Sequence, residues 1–421
     1  MTTAGNGSSE WCGIVPCRIR KSARSPRRRL SARMLVLAGL ALGLAGPPCR
    51  AQCFYDVFIV PVPACPGGGP TPWGINDLTD DGQAAGSMGC FLASAPAIWA
   101  GEGTVIQSLP IPAGFHDAKA FGLTDVNNVV GLTQVKVGSN SVATYWRDGV
   151  PIVLGFPADG DISQAVAIND AGQIVGTWGN TVTGPFHGLI WQDGVMNDLR
   201  DEFGTAWANA NDINELGWIT GWAGESSASA RAFVYDGKQI TYSPPIFGNP
   251  RTIGVAINRD GDVAGWGVFD HPVGVQVRRA FLWSAGVMTD IGFLPETAVS
   301  TPTSINNVRQ VVGKSGNRAF LWQNGELIQL RDYFPSEWSE ILTRPAVINN
   351  EGQIGFGNGG LGIILKPIGL KAGDIDNNCR VDRLDLMLLL DEWGRTDSLA
   401  DVNADAVVNV LDLLDLLADW G

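Results

Sequence analysis

The sequence predicts an all-β fold of seven repeated units, followed by a small helical module at the carboxyl end. Three observations predict it. Variants of the nine-residue phrase "INDAGQIVG" return seven times along the 421 residues. Glycine is abundant, with 54 residues, and apolar runs of helical period are rare before residue 380, which is typical of short strands joined by turns. Beyond residue 372 the chain changes to two acidic loops, each leading into a leucine-rich segment.

Residues 1–51 are interpreted as an export signal. The basic run "RIRKSARSPRRRLSAR" precedes the apolar run "MLVLAGLALGLAG", which has the length of a signal peptide and is short for a transmembrane helix. The small residues Cys49 and Ala51 stand at the −3 and −1 places of a cleavage after Ala51. We therefore expect a secreted protein, extracellular or at the cell surface, with no membrane span in the mature chain.

Loss of the signal makes the chain strongly acidic. Residues 1–51 hold nine of the 29 basic residues and one of the 42 acidic residues, so the net charge changes from −13 to −21. Such a polyanion repels nucleic acid, and the sequence therefore predicts no nucleic-acid partner. Of the four cysteines that remain, Cys53, Cys65 and Cys90 allow two pairings, Cys53–Cys65 or Cys65–Cys90, between which the sequence does not choose.

The phrase recurs at a nearly constant spacing. Its copies begin at Leu78, Leu123, Ile168, Ile213, Ile257, Ile305 and Ile348. In the third copy the Asn-Asp-x-Gly stretch is turn chemistry, because the Asn or Asp side chain caps the turn and Gly takes the positive φ that closes it. Asn127, at the Gly place of the second copy, tolerates that conformation. Arg309, at the same place in the sixth copy, does not adopt it comfortably, and we expect that turn to be built otherwise.

A second phrase in each unit ends in an aromatic residue. The aromatic positions are Trp99, Trp146, Trp191, Tyr235, Trp283 and Trp322. Together the two phrases indicate four strands per unit, here named a to d. Four short strands in every unit of about 45 residues fit the blade of a β-propeller, with the aromatic side chain in the core between blades.

The two ends of the repeat region predict how the ring closes. The seventh unit runs out after three strands, and "CFYDVFIVPVP", which begins at Cys53, is a strand-like segment that no unit claims. A ring closed by this segment loses its open sheet edges. We therefore predict a seven-bladed β-propeller over residues 52–371, closed by the N-terminal strand. An open β-solenoid is the alternative.

The repeat resembles a known family. "INDAGQIVG", together with "HGLIW" and "RAFLW", is similar to the HAF repeat of bacterial exported proteins, and the resemblance covers roughly residues 73–366. It implies export and a repeat architecture, and it implies no settled activity.

Residues 372–421 contain two loop–helix units, which align Asp374 with Asp401 and Trp393 with Trp420. Their oxygen-bearing residues occupy positions 1, 3, 5, 9 and 12 of an EF-hand-like loop, a spacing that wraps oxygens round one Ca²⁺ ion. The predicted calcium ligands are Asp374, Asp376, Asn378, Asp382 and Asp385 in the first loop and Asp401, Asn403, Asp405, Asn409 and Asp412 in the second. At position 7, Arg380 and Val407 would offer their backbone carbonyls. A solvated acidic loop that caps a helix is the alternative.

This duplicated unit resembles the dockerin module, and the resemblance covers about residues 373–421. It implies an α-helical, EF-hand-like domain that docks on a cohesin-like protein partner. The second loop is the closer match. Position 6 is usually Gly but is Cys379 in the first loop and Ala406 in the second, which weakens the expected affinity for calcium. We expect the leucines of the two helices to pack against one another.

The sequence offers candidate binding residues but no catalytic signature. None of the three histidines, His116, His187 and His271, has a metal-ligand spacing, and we assign no catalytic residue. The b–c loops vary most in length and share one face with the d–a connections, which is a frequent place for binding. Trp178, Trp222 and Trp266 lie near that face and are the candidate ligand-binding residues, as platforms for sugar rings. Packing between blades is the alternative for them.

These features favour an exported, non-enzymatic binding or scaffold protein. Its propeller would bind an extracellular ligand such as a glycan, and its C-terminal module would dock in a calcium-dependent way. A dockerin-bearing, glycan-degrading enzyme (a glycosyl hydrolase or lyase of polysaccharide catabolism) is the alternative. Two carboxylates roughly 5–10 Å apart in a cleft would mark that enzyme. A structural component of a surface layer is a third interpretation.

Overall fold

The structure is a computed structural model of the chain. It describes residues 54–61, 73–90, 93–135, 140–181, 184, 186–226, 228–270, 276–333, 346–358, 361–368, 373, 375, 381, 383–396, 398, 400–403, 405–418 and 420. The predicted export signal, residues 1–51, therefore lies outside the described residues. Among the described residues, none of the helices combines the length and the apolar character that crossing a membrane requires.

Seven four-stranded antiparallel sheets form the repeat region, which confirms the seven-bladed propeller. In blades 1 to 6 the strands follow in sequence order from the innermost strand a to the outermost strand d. Blade 1 comprises β2 (Trp73–Leu78), β3 (Ala84–Cys90), β4 (Ala93–Trp99) and β5 (Gln107–Ser108). Blade 2 comprises β6 (Asp117–Leu123), β7 (Val129–Gln134), β8 (Ser141–Arg147) and β9 (Val150–Gly155). Blade 3 comprises β10 (Ile162–Ile168), β11 (Ile174–Gly179), β12 (Phe186–Gln192) and β13 (Val195–Asp198), followed by the short helix α1 (Leu199–Phe203).

The later blades repeat this order. Blade 4 comprises β14 (Trp207–Ile213), β15 (Ile219–Gly224), β16 (Arg231–Tyr235) and β17 (Ile240–Tyr242). Blade 5 comprises β18 (Thr252–Ile257), β19 (Val263–Asp270), β20 (Gln276–Ser284) and β21 (Val287–Gly292). Blade 6 comprises β22 (Ser300–Ile305), β23 (Val311–Ser315), β24 (Arg318–Gln323) and β25 (Glu326–Gln329). Blade 7 comprises β26 (Ala346–Ile348), β27 (Ile354–Asn358), β28 (Leu361–Ile368) and β1 (Phe54–Val60).

Blade 7 takes its outermost strand from the other end of the chain. Its strand order is β1-β28-β27-β26, so β1 occupies the place of strand d. Val60, the last residue of β1, is fully buried, and a Cβ built on Gly362 of β28 would lie 3.3 Å from its Cβ. The N-terminal strand thus closes the blade as the sequence predicted.

The aromatic residue of each second phrase lies in the core between blades. Trp99, Trp146 and Trp191 are at most 3% exposed. Trp146 packs with Ala85 and Ile98 of the preceding blade, and its Nε1 donates to the carbonyl of Pro110 at 2.8 Å. Blades 2 to 6 each bury this aromatic ring against the blade before them, and large rings contribute most to burial.

The a–b turns have the positive φ that the motif predicted. The residues at the Gly place are Gly82, Asn127, Gly172, Gly217, Gly261, Arg309 and Gly352. The expectation that the sixth turn is built otherwise is wrong, because Arg309 has a φ of 63° like the glycines. Its Nε donates to Oδ2 of Asp262 in blade 5 at 2.7 Å, and this ion pair with a buried carboxylate offsets the cost of the left-handed conformation.

The last glycine of the phrase faces an irregularity in strand a. In blade 3 the register between β10 and β11 shifts between Ala165 and Ala167, which marks a β-bulge. A Cβ on Gly176 would lie 2.0 Å from the carbonyl oxygen of Gln164, where no side chain fits. Gly131 and Gly221 face the same obstacle, so the phrase ends in glycine because the bulged inner strand approaches at that point.

The asparagine of the phrase joins each blade to the next. Its Oδ1 accepts the N–H four residues on, as from Gln173 to Asn169 at 3.0 Å. Its Nδ2 donates to the carbonyl of the equivalent residue in the following blade, as from Asn169 to Asn214 at 3.0 Å. The other cross-blade bonds run from Asn214 to Asn258 (2.8 Å), Asn258 to Asn306 (3.3 Å), Asn306 to Asn349 (3.1 Å) and Asn349 to Thr79 (2.7 Å). We call these five asparagines the asparagine ring.

Blades 1 and 2 have threonine at the ring position. Thr79 and Thr124 keep the bond within the turn, because each Oγ1 accepts the N–H four residues on, at 3.0 and 3.1 Å. A hydroxyl has one oxygen where an amide has separate acceptor and donor atoms, and the Thr79 O–H donates within its own turn, to Oδ1 of Asp81 at 2.5 Å. Neither threonine therefore reaches the next blade as the Nδ2 of the asparagines does. The junctions from blade 1 to blade 2 and from blade 2 to blade 3 are held by other contacts.

We expect Thr124→Asn to stabilise the propeller and Asn214→Thr to destabilise it. Each change adds or removes one buried cross-blade hydrogen bond, worth about 1 kcal/mol of unfolding free energy. Asn214→Asp is the matched control, since it keeps the acceptor for the Trp218 N–H but has no donor for Asn258, and it should lose at least as much as Asn214→Thr. Denaturant melts measure all three, and equal midpoints for Thr124→Asn and the parent chain would contradict the assignment.

Candidate functional sites

The C-terminal module contains two short helices, α2 (Arg383–Asp391) and α3 (Val410–Ala418). They share a small core in which Val381, Leu389, Val408 and Leu416 are at most 1% exposed. The expected packing between the leucines of the two helices occurs in part, through Leu389 and Leu416. Leu386 and Leu413 join the core in part, whereas the leucines on the outer faces are exposed. The exposed ones are Leu384, Leu388, Leu390, Leu411, Leu414 and Leu417.

Most of the first predicted calcium loop, Asp374, Asp376, Asn378, Arg380 and Asp382, lies outside the described residues. Its last position, Asp385, is fully buried in the first turn of α2. Asp412, the last position of the second loop, is fully buried in the first turn of α3. Both halves of the module therefore place a buried aspartate in the first turn of a helix.

The second loop brings three carboxylates together. One oxygen from each of Asp401, Asp405 and Asp412 lies within 4.8 Å of the others. Backbone N–H groups fix them: Asp401 accepts from Asp405 at 3.0 Å and from Ala406 at 2.8 Å. Asp412 accepts from Asn403 at 3.1 Å and from Asn409 at 2.7 Å. This donor set of hard oxygens with such spacing fits a cation that takes oxygen ligands at 2.3–2.6 Å, as Ca²⁺ does.

Two further details describe the electrostatics and strain of this loop. Burial alone would raise the pKa of Asp412, but hydrogen bonds from the N–H groups of Asn409, Asn403 and Val402 outweigh it and hold that pKa below its ordinary value. Ala406, at position 6, has a φ of 74°, the conformation for which glycine is preferred. The loop thus adopts the sharp turn of the motif with a residue that is strained there.

Of the three tryptophans predicted to contact a ligand, Trp178 is buried and does not form an exposed platform. It is 2% exposed, with the imidazole of His187 4.9 Å and the guanidinium carbon of Arg200 5.1 Å from its ring. His187 is itself buried, and burial lowers its pKa. These residues fill the end of blade 3, and packing is the better explanation for Trp178.

Trp222 and Trp266 are half-buried and remain accessible at the b–c face of blades 4 and 5. Trp222 stacks with Trp207, with ring centroids 6.4 Å apart and an interplanar angle of 26°. The guanidinium carbons of Arg278 and Arg251 lie 4.4 and 5.8 Å from the Trp266 ring. Sequence reasoning missed these arginines, because Arg251 lies just before β18 and Arg278 lies in β20, and only the fold brings them beside Trp266 of β19.

The inner strands of the propeller line a central cavity of about 230 Å³ that contains two carboxyl groups. Asp77 in blade 1 accepts from the N–H of Leu78 at 2.9 Å and from that of Leu123 in blade 2 at 2.7 Å. Asp212 in blade 4 accepts in the same way from Ile213 and, across the junction, from Ile257, both at 2.9 Å. Both carboxyls thus tie one blade to the next, and the signal that marks them is the Asn-Asp pair in "GINDL" and "NANDI".

Enclosure by the surrounding strands changes the acidity of these two groups. Burial raises the pKa of Asp77 to about 6, against the opposing effect of its backbone hydrogen bonds. Burial, with a further contribution from the charges of Asp77 and Glu215, raises the pKa of Asp212 to about 7. Each side chain keeps some surface inside the cavity, but the blades replace most of the bulk water around it.

The a–b turns of blades 1 to 4 form an acidic collar of Asp80, Asp125, Asp170 and Glu215, all at the position after the ring residue. The N–H of Asp125 donates to Oδ1 of Asp170 at 3.1 Å, and the N–H of Asn350 donates to Oδ1 of Asp80 at 2.8 Å. Burial and then the carboxylates of Asp170 and Asp80 raise the pKa of Asp125. The collar makes this face strongly negative.

Several solved structures of low sequence identity are similar to this chain, with TM-scores below 0.5. A catalytically inactive virginiamycin B lyase from Staphylococcus aureus with quinupristin is 11% identical, with a TM-score of 0.49, and the match covers 75% of this chain and 100% of the other. Oligogalacturonate lyase from Vibrio parahaemolyticus is 11% identical, with a TM-score of 0.49, over 76% and 98%. Acylaminoacyl peptidase from Pyrococcus horikoshii is 13% identical, with a TM-score of 0.44, over 72% and 52%. No protein-family model matches the chain, and no curated protein matches it.

We expect the stability of the propeller to fall as the pH rises from 5 to 8. A carboxyl group whose pKa is higher in the folded than in the unfolded protein stabilises the fold when it is protonated. This contribution is fully present below the unfolded pKa of about 4 and is lost as the pH rises through the folded pKa. Because the folded pKa is about 6 for Asp77 and about 7 for Asp212, this stability is lost between pH 5 and 8. The double variant Asp77→Asn/Asp212→Asn should lose less stability across the same window. Melting temperatures of both proteins at each pH are the measurement, and parallel profiles would contradict the assignment.

Proposed function

We propose that the protein is an exported, non-enzymatic binding or scaffold protein with two binding parts. The propeller binds an extracellular ligand, with a glycan as the favoured class, and the C-terminal module docks on a protein partner when calcium is bound. The convergence of Asp401, Asp405 and Asp412 in the second loop is the observation that carries the proposal.

Calcium would act on this module through folding. Without a cation the three carboxylates repel one another at close range, and with Ca²⁺ the same oxygens become ligands, so that binding free energy stabilises the loop. A core of a few buried side chains is marginal for so small a module, and a metal is a common addition in such cases. Asp401, Asn403, Asp405 and Asp412 would hold the ion with their side chains and Val407 with its carbonyl.

The exposed apolar surface of the module supports a docking role. Leu411, Leu414 and Leu417 follow one another at helical spacing on α3, and Leu414 is 57% exposed. Exposed apolar patches of this kind commonly mark protein–protein contacts. The resemblance of the module to dockerins makes a cohesin-like domain the expected partner.

The hydrogen bonds of the cavity carboxyl groups favour binding over glycan hydrolysis. The two carboxyls that line the central cavity, Asp77 and Asp212, each already accept two backbone N–H bonds that join neighbouring blades. A structural role accounts for this arrangement without a reaction. The glycan-degrading alternative would be preferred if the purified mature protein released sugars from a polysaccharide.

We expect isothermal titration of the mature chain with Ca²⁺ to show binding that Asp401→Ala abolishes. Asp374→Ala should have a smaller effect, because the second loop matches the motif better. Ala406→Gly should tighten binding about fivefold, since glycine relieves a left-handed conformation that costs other residues about 1 kcal/mol.

Asp236→Ala, which removes an exposed turn carboxylate of the propeller, is the matched control and should leave the affinity unchanged. If the parent chain gives no heat of binding, or if Asp236→Ala weakens binding as much as Asp401→Ala, the calcium proposal is wrong and the module is an acidic helical hairpin.

A further inference from the structure

Blade 5 carries a hairpin that is longer than its counterparts. Its strands β19 and β20 have eight and nine residues, whereas strands b and c of blades 1 to 4 and 6 have five to seven. The pairing runs from Val263 opposite Trp283 to Asp270 opposite Gln276. The hairpin therefore projects at the b–c face, where insertions most often serve binding.

One arginine of this hairpin has its interactions completed within the blade. The guanidinium carbon of Arg279 lies 5.3, 4.9 and 4.8 Å from the rings of Phe247, Phe269 and Phe293. Its Nε donates to Oδ1 of Asp290 at 2.9 Å, and its Nη2 lies 2.6 Å from Oδ2. The Arg279 side chain is therefore held by the three rings and the carboxylate, and its role is structural.

The two arginines beside Trp266 differ from Arg279 in this respect. Arg278 is exposed, and neither Arg278 nor Arg251 forms an ion pair with a residue in the described part of the chain. The Nε of Arg251 is buried and has no hydrogen-bond partner among the described residues. Buried donors are almost always paired in folded proteins, so this N–H lacks an acceptor that the described residues do not supply.

Neighbouring contacts hold the backbone of Arg251 in place. The N–H of Arg251 donates to Oδ1 of Asn249 at 2.9 Å, and its carbonyl accepts from Val268 of the hairpin at 3.1 Å. The turn before it places Phe247 at a φ of 59°, which is strained for an aromatic residue. A Cβ on Gly267 would lie 2.7 Å from Ile246 of this turn, so turn and hairpin are closely packed. The backbone at Arg251 is therefore fixed against the hairpin that carries Trp266 and Arg278.

We infer that Trp266, Arg251 and Arg278 form a binding site for a carboxylated saccharide, such as a polyuronate chain; the inference rests on the proposed role of the propeller as a ligand-binding unit. A guanidinium held over an aromatic ring keeps N–H donors in its own plane, where they match the two oxygens of a carboxylate. Trp222, at the equivalent strand position of blade 4, adds an aromatic surface of the kind on which sugar rings pack. Among the described residues neither arginine has an acidic partner, and this distinguishes the site in a mature chain of net charge −21, whose acidic surfaces repel polyanions.

The experiment measures binding of the mature chain to polygalacturonate and to its methyl-esterified form, by affinity electrophoresis and calorimetry in the presence of a chelator. Esterification keeps the sugar backbone and removes the charge, and the chelator prevents calcium bridges to the C-terminal loop. We expect binding to the free acid and at least tenfold weaker binding to the ester. Arg251→Gln/Arg278→Gln should lose about tenfold or more in affinity, as two charge-assisted contacts are removed.

Two further variants sharpen the test. Arg147→Gln is the matched control, because Arg147 is also an exposed arginine beside an aromatic ring, 5.5 Å from Tyr145, but lies at the c–d turn on the opposite face; it should bind like the parent chain. Asp270→Asn should bind more tightly, because the substitution removes one negative charge from the end of β19 that pairs with Gln276, two residues before Arg278. Near-ultraviolet circular dichroism and melting checks confirm that each variant is folded.

The outcomes separate this inference from the proposed function. Equal binding to acid and ester, or unchanged binding by the double arginine variant, overturns the inference. Binding of a neutral glycan on an array with no binding of polyuronate overturns the inference and leaves the proposed glycan-binding role standing. Binding to no glycan on the same array overturns both.

Discussion

The fold depends on one side chain that makes two hydrogen bonds in different directions. Each asparagine of the ring closes its own a–b turn with Oδ1 and reaches the next blade with Nδ2, as Asn214 does to Trp218 at 2.9 Å and to Asn258 at 2.8 Å. Local turn geometry and the junction between blades are therefore set by the same group. A single blade has no partner for the second bond and two apolar faces left exposed, so the repeat is stable only as a ring.

Most of the propeller could be predicted because its determinants are local and periodic. The nearly constant spacing of the phrase, the turn glycines and the unpaired first strand are all visible in the sequence. The turn at Arg309 was predicted wrongly, because the carboxylate of Asp262 that offsets its strain belongs to the preceding blade and is distant in the chain. The surroundings of the candidate tryptophans also depend on tertiary packing. Trp178 is covered by His187 and Arg200, and Trp266 faces two arginines whose positions the repeat pattern does not predict.

The C-terminal module could be predicted from its sequence pattern only in part. The spacing of its acidic residues predicted convergence, and the second loop brings Asp401, Asp405 and Asp412 together with φ positive at Ala406. The leucine pattern predicted a larger core than exists, since a helical pattern with leucine on several faces cannot tell which face is covered. The two proposed binding surfaces differ chemically: the exposed leucines of the module are apolar and the arginines of blade 5 are cationic, on a chain that is otherwise strongly acidic.

Hydrogen exchange at the a–b turns tests most directly whether the asparagine ring holds the blades together. The amides to compare are those four residues after the ring position: Gln83 and Asn128, bonded to threonine, against Gln173, Trp218, Asp262, Gln310 and Gln353, bonded to asparagine. If the cross-blade bond stabilises each junction, the five asparagine turns exchange more slowly than the two threonine turns, because their opening also breaks a bond to the next blade. Equal protection at all seven turns, or slower exchange at the threonine turns, would contradict this account.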